Sequence, residues 1–240
     1  MMDNSVIKIE GLSKTFTKSK KGITITQKLK SLLSRHKEVF KVLDNLNLEI
    51  TKGEFVGLIG KNGSGKSTLL KIILGAIEPD KGSMISTKGK IIRLALGMGF
   101  DSSLSARDNI YLNGAIIGLS FKKIGEIFNK IIQFSELEEF IDTPLRYYSS
   151  GMVSRLAFSI AIHAEADIFL IDEFFNDVGD SNFKEKSNKV FDGILKDKTI
   201  IYVSHTTENL IRYCDRVLVL KDGNTKNYTD INLAIKDYKS

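Results

Sequence analysis

The chain alternates between two hydrophobic rhythms. Ser5-Val6-Ile7-Lys8-Ile9-Glu10 alternates apolar and polar positions, which predicts a strand. Val42 to Ile50 alternates again, with Val42, Leu46, Leu48 and Ile50 on one face. Glu54-Phe55-Val56-Gly57-Leu58-Ile59 is a short apolar run followed at once by glycines, and Ile91 to Leu96 predicts another strand. Ile168-Phe169-Leu170-Ile171 and Ile200-Ile201-Tyr202-Val203 are uninterrupted apolar runs, as strands covered on both faces require. Val217 to Leu220 follows them. Elsewhere the period is helical. Ser67 to Leu74 carries apolar residues at that spacing, and Ile124, Ile127, Phe128, Ile131 and Ile132 predict an amphipathic helix. Ser154 to Ala164 reads as a buried helix, and a final helix carries Ile231, Ala234, Ile235 and Tyr238. Strands alternating with helices predict an α/β fold with a largely parallel sheet. From about 102 to 163 the pattern holds helices and no good strand, which predicts a helical subdomain within a single domain spanning 1–240.

Composition narrows the class. The chain has 240 residues, of which 42% are hydrophobic and 27% charged, so disorder, collagen and coiled coil are excluded. Cys214 is the one cysteine, which excludes an intramolecular disulfide. No run approaches the ~18–20 apolar residues of a spanning helix. The N-terminus has no basic stretch followed by an apolar one, so no secretory signal is expected, and any membrane attachment is expected to run through a partner. The net charge of +6 is unevenly spread. Lys18, Lys20, Lys21, Lys28, Lys30, Arg35, Lys37 and Lys41 face only Glu38 in the segment 18–41, and the remainder is close to neutral. A broad nucleic-acid surface is basic more widely, so no nucleic-acid partner is expected. Within that insert, from Thr26 to Phe40, Leu29, Leu32, Leu33, His36 and Phe40 fall at helical spacing, with Lys28, Lys30, Arg35 and Lys37 on other faces. This predicts a basic amphipathic helix. It serves either a membrane surface or membrane partner, or it is a solvated helix packed by its leucines.

Candidate chemistry begins at Gly60-Lys61-Asn62-Gly63-Ser64-Gly65-Lys66-Ser67, followed by Thr68. The spacing is that of a phosphate-binding loop between a strand and a helix. The glycines let backbone N–H groups close around phosphates, and the helix N-terminus adds a positive dipole end. Lys66 is placed to reach the β- and γ-phosphates, and the Ser67 hydroxyl to hold Mg²⁺. The strand ending in Asp172-Glu173 puts two carboxylates at the edge of a parallel sheet where ligands bind. Asp172 is the candidate to orient Mg²⁺ through water, and Glu173 the candidate general base. His205, after another buried strand, is placed to bond a γ-phosphate; a purely structural histidine is the alternative. Tyr148-Ser149-Ser150-Gly151-Met152 opens a helix and is a second phosphate-binding candidate, although Ser and Gly cap many helices.

Taken together and in this order, these elements resemble the ATP-binding subunit of an ATP-binding cassette (ABC) transporter over nearly the whole chain. The resemblance implies an ABC-type ATPase domain: a mostly parallel sheet core, an antiparallel β part and a helical signature subdomain. It implies ATP and Mg²⁺ as ligands and a homodimer with two ATPs at its interface. Ser149, Ser150 and Gly151 stand at the signature, where that stretch of one subunit meets the γ-phosphate held by the other. His205 takes the switch position, Val178-Gly179-Asp180 the D-loop position, and Phe16 the place of an aromatic residue that stacks on adenine.

The resemblance narrows to polysaccharide exporters. Tyr-Ser-Ser-Gly-Met replaces the usual Leu-Ser-Gly-Gly-Gln. Asn109-Ile110-Tyr111-Leu112-Asn113-Gly114 follows Ser105-Ala106-Arg107-Asp108, and Val178-Gly179-Asp180 is followed by Phe183. The implied activity is export of a lipid-linked polysaccharide, foremost O-antigen, with capsule or teichoic acid as alternatives. It implies two copies of a membrane permease and a place at the cytoplasmic face of the inner membrane. The basic insert resembles that of O-antigen and teichoic acid exporters. Three features depart from the pattern. Asp101 stands where many transporters have the Q-loop glutamine and is a secondary candidate for Mg²⁺. Phe174-Phe175-Asn176-Asp177 is one residue longer than expected. From the chain's length, the C-terminal sugar-binding domain that some O-antigen exporters carry is not expected. A soluble ABC ATPase of ribosomes or DNA is expected to carry two cassettes or a long coiled coil, and neither is seen. An importer or drug exporter shares the ATP residues and differs in the signature. Lys66, Asp172, Glu173 and His205 speak against a non-catalytic cassette.

Overall fold

The structure is a computed structural model that describes residues 4–17, 39–94, 97–172, 180–194, 198–204 and 206–239. Two sheets organise it. The smaller is antiparallel, in the order β2 (Val39–Thr51), β1 (Ser5–Thr17), β4 (Met84–Thr87). The larger runs β5 (Ile91–Leu94), β6 (Ile168–Asp172), β7 (Thr199–Val203), β3 (Phe55–Ile59), β8 (Arg216–Lys221), β9 (Asn224–Tyr228). Its first five strands are parallel, and β9 returns antiparallel to β8. The helices are α1 (Lys66–Ile73), α2 (Ala106–Ile116), α3 (Phe121–Ser135), α4 (Ser150–Ala161), α5 (Ser181–Ile194), α6 (Thr207–Tyr213) and α7 (Ile231–Lys239).

Period-two side chains explain why the central strands are apolar throughout. Val56, Leu58, Ile168, Leu170, Ile201, Val203, Leu218 and Leu220 enter one core with α1 and the antiparallel sheet. Their neighbours Ile59, Phe169, Ile171, Ile200, Tyr202, Val217 and Val219 enter a second core on the opposite face. Each face thus buries its own set, and each fully buried aliphatic side chain contributes roughly 1.5–3 kcal/mol.

A third core lies among α2, α3 and α4, where Ile110, Ile124, Ile127, Ile131, Leu156 and Ile160 meet. Helix α4 joins it to the sheet. Leu156 and Ile160 face the helical core, while Phe158 and Ala161 face the sheet. Serines start all three helices: the hydroxyls of Ser105, Ser120 and Ser149 accept the N–H groups of Asp108, Lys123 and Met152.

The structure adds to the expected pattern and corrects it in one place. β1 runs on to Thr17 because its whole length pairs with β2. The strand expected over Ile91–Leu96 is β5, and Ala95 and Leu96 lie outside the described residues. The helix expected over Thr26–Phe40 also lies outside them, except at its end. There Val39 and Phe40 belong to β2, opposite Thr17 and Phe16. The cross-strand ladder gives their backbone groups partners and sets the Phe40 ring against Phe16.

Candidate active site

Strand β3 delivers the phosphate loop to the edge of the sheet. Gly63 and Gly65 take positive φ values of 82° and 107°, conformations that L side chains rarely adopt. Gly65 caps α1 without a side-chain acceptor, so the N–H groups of the first turn keep their bonding capacity for an anion. The Lys66 ammonium lies over the loop, donating to the carbonyls of Gly60 at 2.5 Å and Lys61 at 3.2 Å. The Ser64 hydroxyl is buried without a hydrogen-bond partner among the described residues. A buried orphan acceptor and donor beside an ammonium and a glycine cradle fits a polyphosphate group.

A cavity of about 450 Å³ opens at this loop, lined by Asn62, Gly63, Gly65, Lys66, Ser67 and Thr68, with Phe16, Phe40, Val42, Leu70 and Val203. It therefore brings the phosphate loop and Phe16 together. Asp172 ends β6 directly opposite Val203 of β7, so the acidic end of β6 is one strand away from a lining residue. Glu173, the Val178-Gly179 pair and His205 lie outside the described residues. Gly60, Lys61 and Ser64 complete the loop and line a neighbouring groove of about 490 Å³ with Phe40, Lys221, Asp237 and Tyr238.

Ser149, Ser150 and Gly151 do not line the cavity of their own chain. Ser149 caps α4 by accepting the Met152 N–H at 3.2 Å, and Ser150 is exposed with its carbonyl bonded by the Ser154 hydroxyl. Asp101 does not line the cavity either. Its carboxylate accepts the Ser103 hydroxyl at 2.6 Å and the Ser103 N–H at 2.8 Å, and these bonds hold its pKa below the ordinary aspartate value.

Sequence reasoning missed a charged cluster behind the signature. The guanidinium of Arg155, on α4, bonds the Glu136 carboxylate and lies 3.8 Å from Asp180. Lys186 on α5 donates to Glu136 at 2.9 Å, and that bond leads the effects holding the Glu136 carboxyl below its ordinary range. Asp180 in turn caps α5, accepting the N–H groups of Asn182 and Phe183. The helix that begins with the signature is thus tied to the start of α5 through Asp180. Three separate elements meet here, so no local spacing announces the cluster.

Comparison with known proteins agrees with this geometry. The ABC transporter family model matches residues 43–176. The chain is 40% identical over 221 residues to the O-antigen export system ATP-binding protein RfbB of Klebsiella pneumoniae, covering 88% of this chain and 89% of that protein. It is 36% identical over 240 residues to the teichoic acids export ATP-binding protein TagH of Bacillus cereus (strain ZK / E33L). That match takes in 99% of this chain and 43% of the relative, so the chain spans less than half of that protein's length. Among solved structures, a dimeric bacterial ABC transporter cassette superposes with a TM-score of 0.67 at 25% identity, over 92% of this chain and 96% of that one.

Proposed function

The chain belongs to the ABC transporter family, and on that premise we propose that it is the ATP-hydrolysing subunit of an exporter of lipid-linked polysaccharide, O-antigen foremost. One observation carries the catalytic part: the glycine loop, Lys66, Ser67 and Thr68 line one cavity with aromatic residues, at the edge where β6 ends in Asp172. The loop amides and Lys66 bind the triphosphate of ATP, and the aromatic wall takes the base. Ser67 and Asp172 are the residues to hold Mg²⁺, which when bound neutralises charge on the phosphate oxygens. Glu173 accepts a proton from the attacking water, and His205 contacts the γ-phosphate. Ser149, Ser150 and Gly151 face the ATP of a second copy, in keeping with their place outside their own cavity.

The export role is supported by the length-matched likeness to the O-antigen export protein of Klebsiella. Teichoic acid export is the second reading, favoured by a TagH match that runs over 99% of this chain. No helix among the described residues is long and apolar enough to cross a membrane. The transport path is therefore assigned to two copies of a membrane permease, with the ATPase dimer on the cytoplasmic face of the inner membrane. The test is affinity purification of the tagged chain from detergent-solubilised native membranes, followed by mass spectrometry. A single polytopic protein at equal stoichiometry is expected, and deleting its gene should remove one surface polysaccharide. Co-purifying ribosomal proteins or DNA-bound factors would sink the exporter reading and leave the ATP site standing.

A further inference from the structure

Glu136 closes α3 in a conformation that favours glycine. Its φ of 57° and ψ of 44° lie in the left-handed region, where L side chains rarely sit. A glycine would hold this turn without strain, so a carboxylate kept here points to what it binds. Two cations reach it from two other helices. The guanidinium of Arg155, on α4, bonds one carboxylate oxygen, and the Lys186 ammonium, on α5, donates to the other at 2.9 Å. Aromatic rings back both cations. Lys186 lies 4.4 Å from the Phe134 ring centroid, and Arg155 lies 4.8 Å from that of Phe183. Phe134, Phe158 and Phe183 pack against one another, with centroids 5.6–6.2 Å apart. The Arg155 side chain is only 18% exposed, and its Nε is buried without a partner among the described residues. The bond to Glu136 therefore fixes its direction. Asp180, which caps α5, lies 3.8 Å from the same guanidinium. Without Glu136, Asp180 is the carboxylate left to Arg155 among the described residues, and that pairing competes with the N–H groups that Asp180 caps.

We propose that Glu136 is a positioning residue for ATP hydrolysis, acting through Arg155 and Lys186 to fix the signature end of α4 against the start of α5. Arg155 lies four residues after Gly151, one turn along the same face of the helix. A shift at Arg155 is thus carried one turn to the residues that face the ATP of a second copy. This inference rests on the two-copy reading given above. Glu136, Arg155 and Lys186 do not line the cavity of their own chain, so their part is in turnover and not in holding nucleotide at the phosphate loop.

Turnover of ATP and affinity for ADP, both read on the full chain as purified from native membranes, separate positioning from plain structure. Glu136→Gly removes the carboxylate and relieves the backbone, so its urea midpoint should move little. Its turnover should fall about 10- to 100-fold, the scale on which a displacement of about 1 Å acts. Its affinity for ADP, which meets only the phosphate loop of its own chain, should match wild type. Wild-type turnover in Glu136→Gly would mean that residue 136 answers to the backbone alone, and would overturn the proposal. Should that variant fold poorly or lose ADP as well, Glu136→Gln, which keeps the length and removes the charge, must show the same loss of turnover with ADP binding intact. Lys186→Gln should also slow turnover, and the double variant should lose less than the product of the two single losses, because the pair acts as one unit. Losses that multiply would overturn the proposal too. A wild-type chain that binds no ADP would instead remove the reading of the phosphate loop as an ATP site.

Discussion

The side chain of Asn109 grips the backbone of Asp101 at both ends, accepting its N–H at 2.8 Å and donating to its carbonyl at 2.9 Å. The same amide donates to the carbonyls of Ser105 at 2.8 Å and Leu104 at 3.2 Å. One turn further along α2, the buried Asn113 donates to the Met98 carbonyl at 2.6 Å. The Asn-Ile-Tyr-Leu-Asn-Gly stretch thus holds loop 97–105 onto the helix. Its glycine lets α3 approach, since a Cβ on Gly114 would lie 2.8 Å from the Ile124 side chain. Asn109 is fully buried, so Asn109→Ala leaves several backbone groups without partners. The expected cost is about 2–3 kcal/mol by urea denaturation. A loss under about 0.5 kcal/mol would mean the loop needs no such clamp.

Acid sensitivity should be traceable to Glu54. Its carboxylate pairs with Arg216, which also donates to the Glu49 carbonyl at 2.6 Å, and it accepts the Thr51 N–H at 2.9 Å. The Glu54 and Arg216 side chains are 17% and 12% exposed. Burial pushes the Glu54 pKa up, but Arg216 and Thr51 together outweigh it and hold the group below the ordinary 4.5. The folded chain therefore takes up this proton less readily than the unfolded one. The stabilisation is complete above the unfolded value and disappears as pH falls through the folded value. Glu54→Gln should cost about 1–3 kcal/mol near neutral pH and flatten the loss of stability below pH 4.5. Urea midpoints for both chains across that range decide it. Parallel curves would place the acid sensitivity elsewhere.

The central strands were legible because burial on both faces leaves uninterrupted apolar runs. β9 was not: Asn224-Thr225-Lys226-Asn227-Tyr228 has no apolar alternation and is a strand because β8 offers it a ladder. β4 owes its place to β1 in the same way. α6 is only seven residues long and buries Leu210, too little for a periodic signal. The phosphate loop was legible because its spacing is itself the chemistry. Phe40 was not, since a helical spacing of leucines absorbed it until the ladder set it opposite Phe16.

Binding and turnover should separate at two residues of the site. Lys66→Ala removes the ammonium that lies over the loop and should lose ATP binding and hydrolysis together. Glu173→Gln keeps shape and removes the proposed base, so ATP should still bind while turnover falls at least ~100-fold. Equilibrium binding and single-turnover hydrolysis on the purified chain measure the two effects. Wild-type turnover in Glu173→Gln would remove Glu173 as the base.

Two glycines of the phosphate loop test different physics. Gly60 has no positive φ, yet a Cβ there would lie 2.5 Å from the Leu220 carbonyl oxygen and 2.6 Å from the Ser64 hydroxyl. Leu220 sits in β8, bonded between β3 and β9, so that carbonyl moves only if the sheet moves. Gly63 has open space around it and a φ of +82°, so its requirement is conformational. Gly60→Ala should therefore cost about 1–3 kcal/mol of stability through overpacking and weaken ATP binding by displacing the loop. Gly63→Ala should cost about 1–2 kcal/mol through backbone strain, with β3 and β8 undisturbed. Hydrogen exchange at the β3–β8 ladder distinguishes them: faster exchange is expected in Gly60→Ala alone. Equal exchange in both variants would show that the loop, and not the sheet, absorbs the added methyl group.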